Sequence, residues 1–319
     1  MNKNNENNNE IFKNRKFDES KTIILSDYNS FLQHTELLQN GDFAICSGDG
    51  EVKIYDGENK KCKLLIRDNG LCINFVKQLK NGNIAICGKK VNIVKLENNN
   101  KNYEIIQTIN LNYEQYCIVE LKNENLIFSQ PISIYNKQFN EYKLLNQIKN
   151  NYATCLLIIK DNEIIGTSND AFSIYDLNTF SIKKEYKFKC SYCFNGIEKI
   201  NENLIGICGR NESGICIFDI NLYQIKLIFQ IKSPHITTFK VLKDKTWLIS
   251  EFYLKNENIN IKRSELSHYF LSDFDQFFLI NKINNAHSHY IDSIVELNDG
   301  SIVTSSWDKT AKIWFFNDK

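Results

Sequence analysis

One recurrence constrains this chain more than any other feature. Seven apolar residues, Leu38, Leu79, Leu121, Ile159, Ile200, Leu242 and Leu297, each close a short apolar run. Each is followed by a polar turn and a second apolar run. The spacings between neighbours are 41, 42, 38, 41, 42 and 55 residues. Eight residues after these anchors stand Cys46, Cys87, Ser129, Thr167, Cys208, Ser250 and Ser305, all small and none aliphatic or aromatic. An extended strand shows one face at every second residue, so a fixed even offset always points the same way. A small residue kept at that offset predicts tight packing between neighbouring sheets. A chain held to this rhythm folds as an array of like units, although its 319 residues would otherwise allow two unrelated domains.

The period is that of a four-stranded propeller blade. The first unit divides into strand-like pieces at about Phe31–Leu38, Asp42–Ser47, Val52–Asp56 and Cys62–Ile66, with Gly41 and Gly48-Asp49-Gly50 at the turns. The fifth repeats the scheme at Cys193–Ile200, Leu204–Gly209, Ile215–Asp219 and Ile225–Ile231. The predicted fold is all-β: a seven-bladed β-propeller of four-stranded antiparallel blades. The blades fall near 28–66, 70–109, 115–148, 152–188, 192–231, 235–283 and 287–316. Only five residues follow Trp314. The apolar strand 22–25 is therefore expected to complete the last blade and close the ring, pairing backbone that would otherwise be exposed. Residues 1–20, rich in Asn, Lys and Glu, read as a flexible polar tail before a propeller spanning 21–319.

Composition narrows the function classes. With 39 basic and 38 acidic side chains intermixed, the chain has no basic stripe of the kind that tracks phosphates, so no nucleic acid is expected. No apolar run is long enough to span a bilayer, and membrane insertion is not expected. The ten cysteines lie in apolar alternating runs such as Ala44-Ile45-Cys46, where they read as small buried hydrophobes. With no secretory leader visible, the expectation is an intracellular, cytoplasmic protein, the nucleus remaining open. Cys190 and Cys193 form a Cys-x-x-Cys pair without a second pair, and His287 and His289 are too few ligands by themselves, so no metal is expected. No nucleophile elbow, phosphate-binding glycine loop or His-Glu-x-x-His appears, and neither catalysis nor a cofactor is expected.

The segment from His287 to Trp314 strongly resembles a WD40 repeat. His287 stands before the first strand, Asp308 in the turn between the second and third strands, and Trp314 at the end of the third. Thr304 is the candidate hydroxyl between them. The resemblance implies that these four form a hydrogen-bonded chain that stiffens the blade. Tyr55-Asp56, Tyr175-Asp176 and Phe218-Asp219 resemble the family's terminal dipeptide with another aromatic in place of Trp, and Asp49 and Asp170 keep the turn aspartate.

The resemblance also implies a non-catalytic scaffold or adaptor, a subunit of a larger complex that presents loops to protein or peptide partners. Those loops would offer Lys89, Lys90, Tyr192, Arg210, Phe252, Tyr253, Tyr290 and Trp307, with Trp307 foremost. A substrate receptor for a cullin-type ubiquitin ligase is the first alternative, and a propeller enzyme with residues converging at the central channel is the second. The Arg that such receptors often carry two residues after the Trp-Asp pair is replaced by Glu58, Asn178, Asn221 and Asn317. The long last spacing places an insertion near 261–278. It reads either as a binding excursion or as padding by Tyr269, Phe270 and Leu271. Asp273 and Asp275 within it sit among Phe274, Phe277 and Phe278 and read as packed insertion.

Overall fold

A computed structural model describes residues 15–68, 72–97, 101–148, 151–168, 170–188, 196–209, 214–230, 235–254, 262–272 and 276–317. Among them are 28 strands in seven antiparallel sheets of four, and six of the sheets are simple meanders of consecutive strands. The first blade comprises Leu32–Leu37, Phe43–Ser47, Glu51–Tyr55 and Cys62–Arg67, from the axis outward. The seventh is closed as expected, by a strand from the start of the chain pairing with Ala311–Phe316. No helix long and apolar enough to cross a membrane occurs among the described residues.

The closing strand is longer than the sequence suggested. It runs Phe17–Leu25, so the last residues of the supposed polar tail are part of the propeller. Phe17 explains the difference. Its ring is buried, stacks on Phe316 at 4.4 Å and reaches the edge of Trp314 at 6.4 Å. Arg15 lies over the Phe316 ring at 3.9 Å and pairs with Asp244 of the sixth blade. Behind this strand, the nearly buried ammonium of Lys53 bonds the Asp27 carboxylate at 2.9 Å and covers the Tyr28 ring, fixing the link into the first blade.

The seven small residues at the eight-residue offset are all buried, but for a more specific reason than tight sheet packing. Four of them sit opposite an irregularity in the innermost strands. Gln33, Asn74, Thr237 and Asp292 are extra residues there, so that His34 pairs with Cys46, Phe75 with Cys87, Thr238 with Ser250 and Ser293 with Ser305. A bulge of this kind takes a backbone N–H out of the ladder. At three of the seven positions the small side chain accepts a backbone N–H, whereas the buried Ser305 Oγ has no partner. Ser129 Oγ accepts the N–H groups of Tyr116 and Cys117 at 3.2 and 3.1 Å, Thr167 Oγ1 accepts that of Cys155 at 3.2 Å, and the Cys46 sulfur receives that of His34. An aliphatic residue would leave the donor buried and unpaired.

The bulge residues also join the blades. Asn74 Nδ2 donates to the Gln115 carbonyl of the third blade at 3.2 Å, and Thr237 Oγ1 to the Ile291 carbonyl of the seventh at 2.7 Å. At the opposite end of the innermost strands a second clamp recurs. The N–H groups just after the anchors donate to the next blade: Gln39 to Gln78 at 2.6 Å, and Lys80 to Glu120 and Lys243 to Glu296, both at 2.7 Å. The innermost strands enclose an axial cavity of about 270 Å³. Two of its lining pairs are ionic, Lys77 with Glu36 at 2.7 Å and Lys240 with Glu198 at 2.5 Å.

The insertion read at 261–278 is not an added excursion where it is described. Lys262–Leu271 is the third strand of the sixth blade, paired with Trp247–Leu254 along its length, and Phe277–His287 is the fourth. Tyr269 and Phe277 pack toward Phe229 of the fifth blade, Phe277 at 3.9 Å between centroids. Asp273, Phe274 and Asp275 lie outside the described residues. Removing residues 1–26 strips the last blade of its outer strand and the burial of Phe17. The melting temperature should fall by at least about 5 °C in calorimetry. An unchanged melting temperature would show that the strand does not close the ring.

Candidate functional site

The loops at one end of the propeller carry two recurring positions, ten residues after each anchor and seven before the next one. They meet across the seams between blades. At the sixth seam Tyr290 of the last blade covers Phe252 at 3.9 Å between ring centroids. At the ring closure Phe31 of the first blade meets Trp307 of the last at 5.3 Å. Phe31 fits because Gly48 lies beneath it; a Cβ on Gly48 would come within 2.5 Å of the ring.

Trp307 is held from several sides. Its indole N–H donates to Asp292, the bulge residue of its own blade, and its backbone N–H donates to the Tyr290 carbonyl at 3.0 Å. His289 stacks on the indole at 5.5 Å and 18°, and Tyr290 meets it edge-on at 5.6 Å. The Tyr290 N–H donates to His289 Nδ1 at 2.9 Å, which leaves the imidazole proton on Nε2. The cluster of Phe31, His289, Tyr290 and Trp307 is half-buried, with its rings locked in place.

The residues nominated from sequence divide. Trp307 and Tyr290 come together. Phe252 is a correction: it is 0% exposed inside the strand Trp247–Leu254, covered by Tyr290, and offers no surface. Tyr253, on the other face of that strand, donates to Glu251 at 2.7 Å and lies near Lys282, away from the aromatic cluster. Lys90 pairs with Asp68 at 2.6 Å at the first seam, beside the exposed Lys89. Tyr192 and Arg210, like Cys190 and Cys193, lie outside the described residues. Phe31, His289 and Asp292 were missed. Phe31 was findable, since it stands seven residues before its anchor just as Tyr290 does before Leu297.

Below this face lies the hydrogen-bonded chain that the repeat motif implied. Trp314 Nε1 donates to Thr304 Oγ1 at 2.9 Å, Thr304 meets His287 Nε2 at 2.8 Å, and His287 Nδ1 meets Asp308 at 2.9 Å. Asp308 also accepts from the N–H groups of Ser288 and Thr310, both at 3.0 Å. Burial alone would raise the Asp308 pKa, but the His287 and Thr310 hydrogen bonds outweigh it and hold the carboxyl well below its usual range. Burial lowers the pKa of His287 despite Asp308. The chain is therefore consistent with a neutral imidazole donating from Nδ1 and accepting the Thr304 hydroxyl at Nε2. This arrangement is a brace.

The axial cavity is chemically quiet in the groups resolved there. Burial pushes the Cys117 thiol up to about 12, so it is not a nucleophile at neutral pH. Burial lowers His34, stacked on Phe75 at 3.9 Å, to about 3. Among the described residues no group of three or more His, Cys, Asp or Glu is placed to hold a metal ion.

His268, lowered by burial to about 3, joins His34 and His287 as a histidine kept neutral by the fold. Unfolded, each titrates near 6.5 and binds a proton that the folded state refuses. Their contribution to stability is thus complete above pH 6.5 and lost as the pH falls below it, toward 3 for His34 and His268, by up to about 1.4 kcal/mol per pH unit for each histidine. The melting temperature should drop between pH 7 and pH 5, and the drop should be shallower in His34→Gln. A pH-independent melting temperature over that range would contradict the burial of these rings.

No family model matches the sequence, and no curated protein matches it. Among solved structures the chain is similar to the WD40 β-propeller domain of Doa1, at a TM-score of 0.72 and 11% identity, over 93% of this chain and 97% of that domain. An overlap this complete at so low an identity is a likeness of fold: the chain shares the β-propeller fold of that WD40 domain, and its last blade carries the His287–Thr304–Trp314 brace.

Proposed function

We propose that the chain is a non-catalytic interaction scaffold or adaptor, presenting its loop face to a protein or peptide within a larger complex. WD40 propellers generally serve as protein-interaction scaffolds, although fold alone does not fix function. The observation that carries the reading here is the immobilised aromatic cluster around Trp307. Trp and Tyr contribute much of the energy at protein interfaces, and rings already fixed lose little freedom on binding. Trp307 is held by Asp292, His289 and Phe31 and still keeps part of its surface open. The eight described cysteines are free thiols, which suits a reducing intracellular setting, cytoplasmic or nuclear.

The test is affinity capture from native cells with the intact chain and with Trp307→Ala. The variant should recover its partners at least about tenfold less well, the signature of a lost interface anchor, while melting within a few degrees of the wild type. Unaltered capture alongside a clear loss of thermal stability would make Trp307 a structural residue and remove this reading. Recovery of cullin-type ligase subunits would narrow the adaptor to a substrate receptor.

A further inference from the structure

The two rim positions that close the sixth seam and the ring closure are also present where the third blade meets the fourth, and there they stay open. Ten residues after Leu121 stands Pro131, and seven before Ile159 stands Tyr152. Tyr152 is 41% exposed and meets Tyr113, itself 49% exposed, edge to face at 5.6 Å and 71°. Between these rings and Pro131 a groove of about 440 Å³ runs over Tyr135 onto Leu144 of the outer strand. Among the described residues its lining contains no Asp, Glu, Lys, Arg or His. That absence is notable in a chain that is 24% charged.

The flank below the groove continues the apolar surface. The outer strand Glu141–Gln147 carries a bulge at Leu145, where the outer strands of the first, fourth and fifth blades carry Lys63, Lys183 and Lys226 and those of the second and sixth carry Ile106 and Ile280. Lysine at such a place discourages edge pairing. Here the bulge leaves Leu144 and Leu145 both more than half exposed.

We infer that this groove receives an extended, uncharged, proline-bearing segment of a partner protein. The proposal rests on the scaffold reading but uses a different surface from the Trp307 cluster. Polyproline segments hold a preformed left-handed helix, present carbonyl groups and few N–H donors, and dock in aromatic-lined grooves. Tyr113 and Tyr152 set two ring faces at a steep angle, and the Tyr113 hydroxyl, which accepts that of Tyr152, and the Asn112 amide supply donors for carbonyls. A charged segment would surrender hydration in the groove without meeting an opposite charge among its described lining residues. A second copy of this chain is a poor occupant, because its two prolines include Pro131 itself.

The test is fluorescence anisotropy of a labelled decaproline peptide titrated with the full chain. Binding should saturate with a Kd below about 1 mM. It should weaken at least about tenfold in Tyr113→Ala/Tyr152→Ala, and equally in Leu144→Asp, with both variants melting as the wild type does. Trp307→Ala should bind decaproline normally, so failure here and failure of the Trp307 face are separate results. The proposal is overturned by absence of saturation, by equal binding in the folded groove variants, or by equally tight binding of Glu-rich or Lys-rich decamers.

Discussion

The ring depends on how the innermost strands cope with their own irregularity. Where bulged, each inserts an extra residue just where it faces the axis, and a bulge strands backbone donors in a place that water does not reach. A small side chain on the second strand accepts a backbone N–H at Cys46, Ser129 and Thr167, and Ser129 takes two. The bulge residue is then free to reach sideways, as Asn74 and Thr237 do, and bond the neighbouring blade. One backbone defect thus serves both to complete a blade and to join it to the next. The clamps after the anchors repeat the joining at the far end. Blades held at both ends of their inner strands leave rims and outer flanks as the surfaces where partners can dock.

The same device reaches the candidate site at Asp292. In the seventh blade the bulge residue is a carboxylate, which cannot donate to a carbonyl of the first blade. It accepts the indole N–H of Trp307 instead. The ring closure adds aromatic packing of Phe31 on Trp307 to the Thr35 N–H donated to Ser293 Oγ at 3.1 Å and the Lys60–Asp299 pair at 2.7 Å. A rim residue anchored by the architecture is well suited to present a fixed surface. The open groove at the third blade is the complementary case, with the same two positions occupied by Pro131 and Tyr152 and not closed upon each other.

Much of this could be read from sequence because the repeat is registered to the residue. The anchors fixed blade number, and the offset of eight found Cys46 through Ser305, every one of them buried. The brace of His287, Thr304, Asp308 and Trp314 followed from its motif. What sequence did not reveal depends on distances between blades. Phe252 has the composition of a surface anchor, yet Tyr290 from the next blade covers it. Phe17 looked like part of a polar tail, because its partners Phe316 and Trp314 stand at the other end of the chain. The supposed excursion near residue 261 proved, where described, to be longer strands, since the period counts residues and not the way they pair.

The central claim is that small side-chain acceptors at this offset hold the inner strands, and Ser129 tests it most directly because its oxygen serves two N–H groups. The measurement is the unfolding free energy, by chemical denaturation, of Ser129→Ala beside Ser129→Cys. Cysteine occupies the equivalent position at Cys46, Cys87 and Cys208 and keeps an acceptor there. The account predicts a loss of about 2 kcal/mol or more for alanine and less than half of that for cysteine. If alanine proves as stable as cysteine, smallness alone governs the position, and the acceptor has no part in holding the ring.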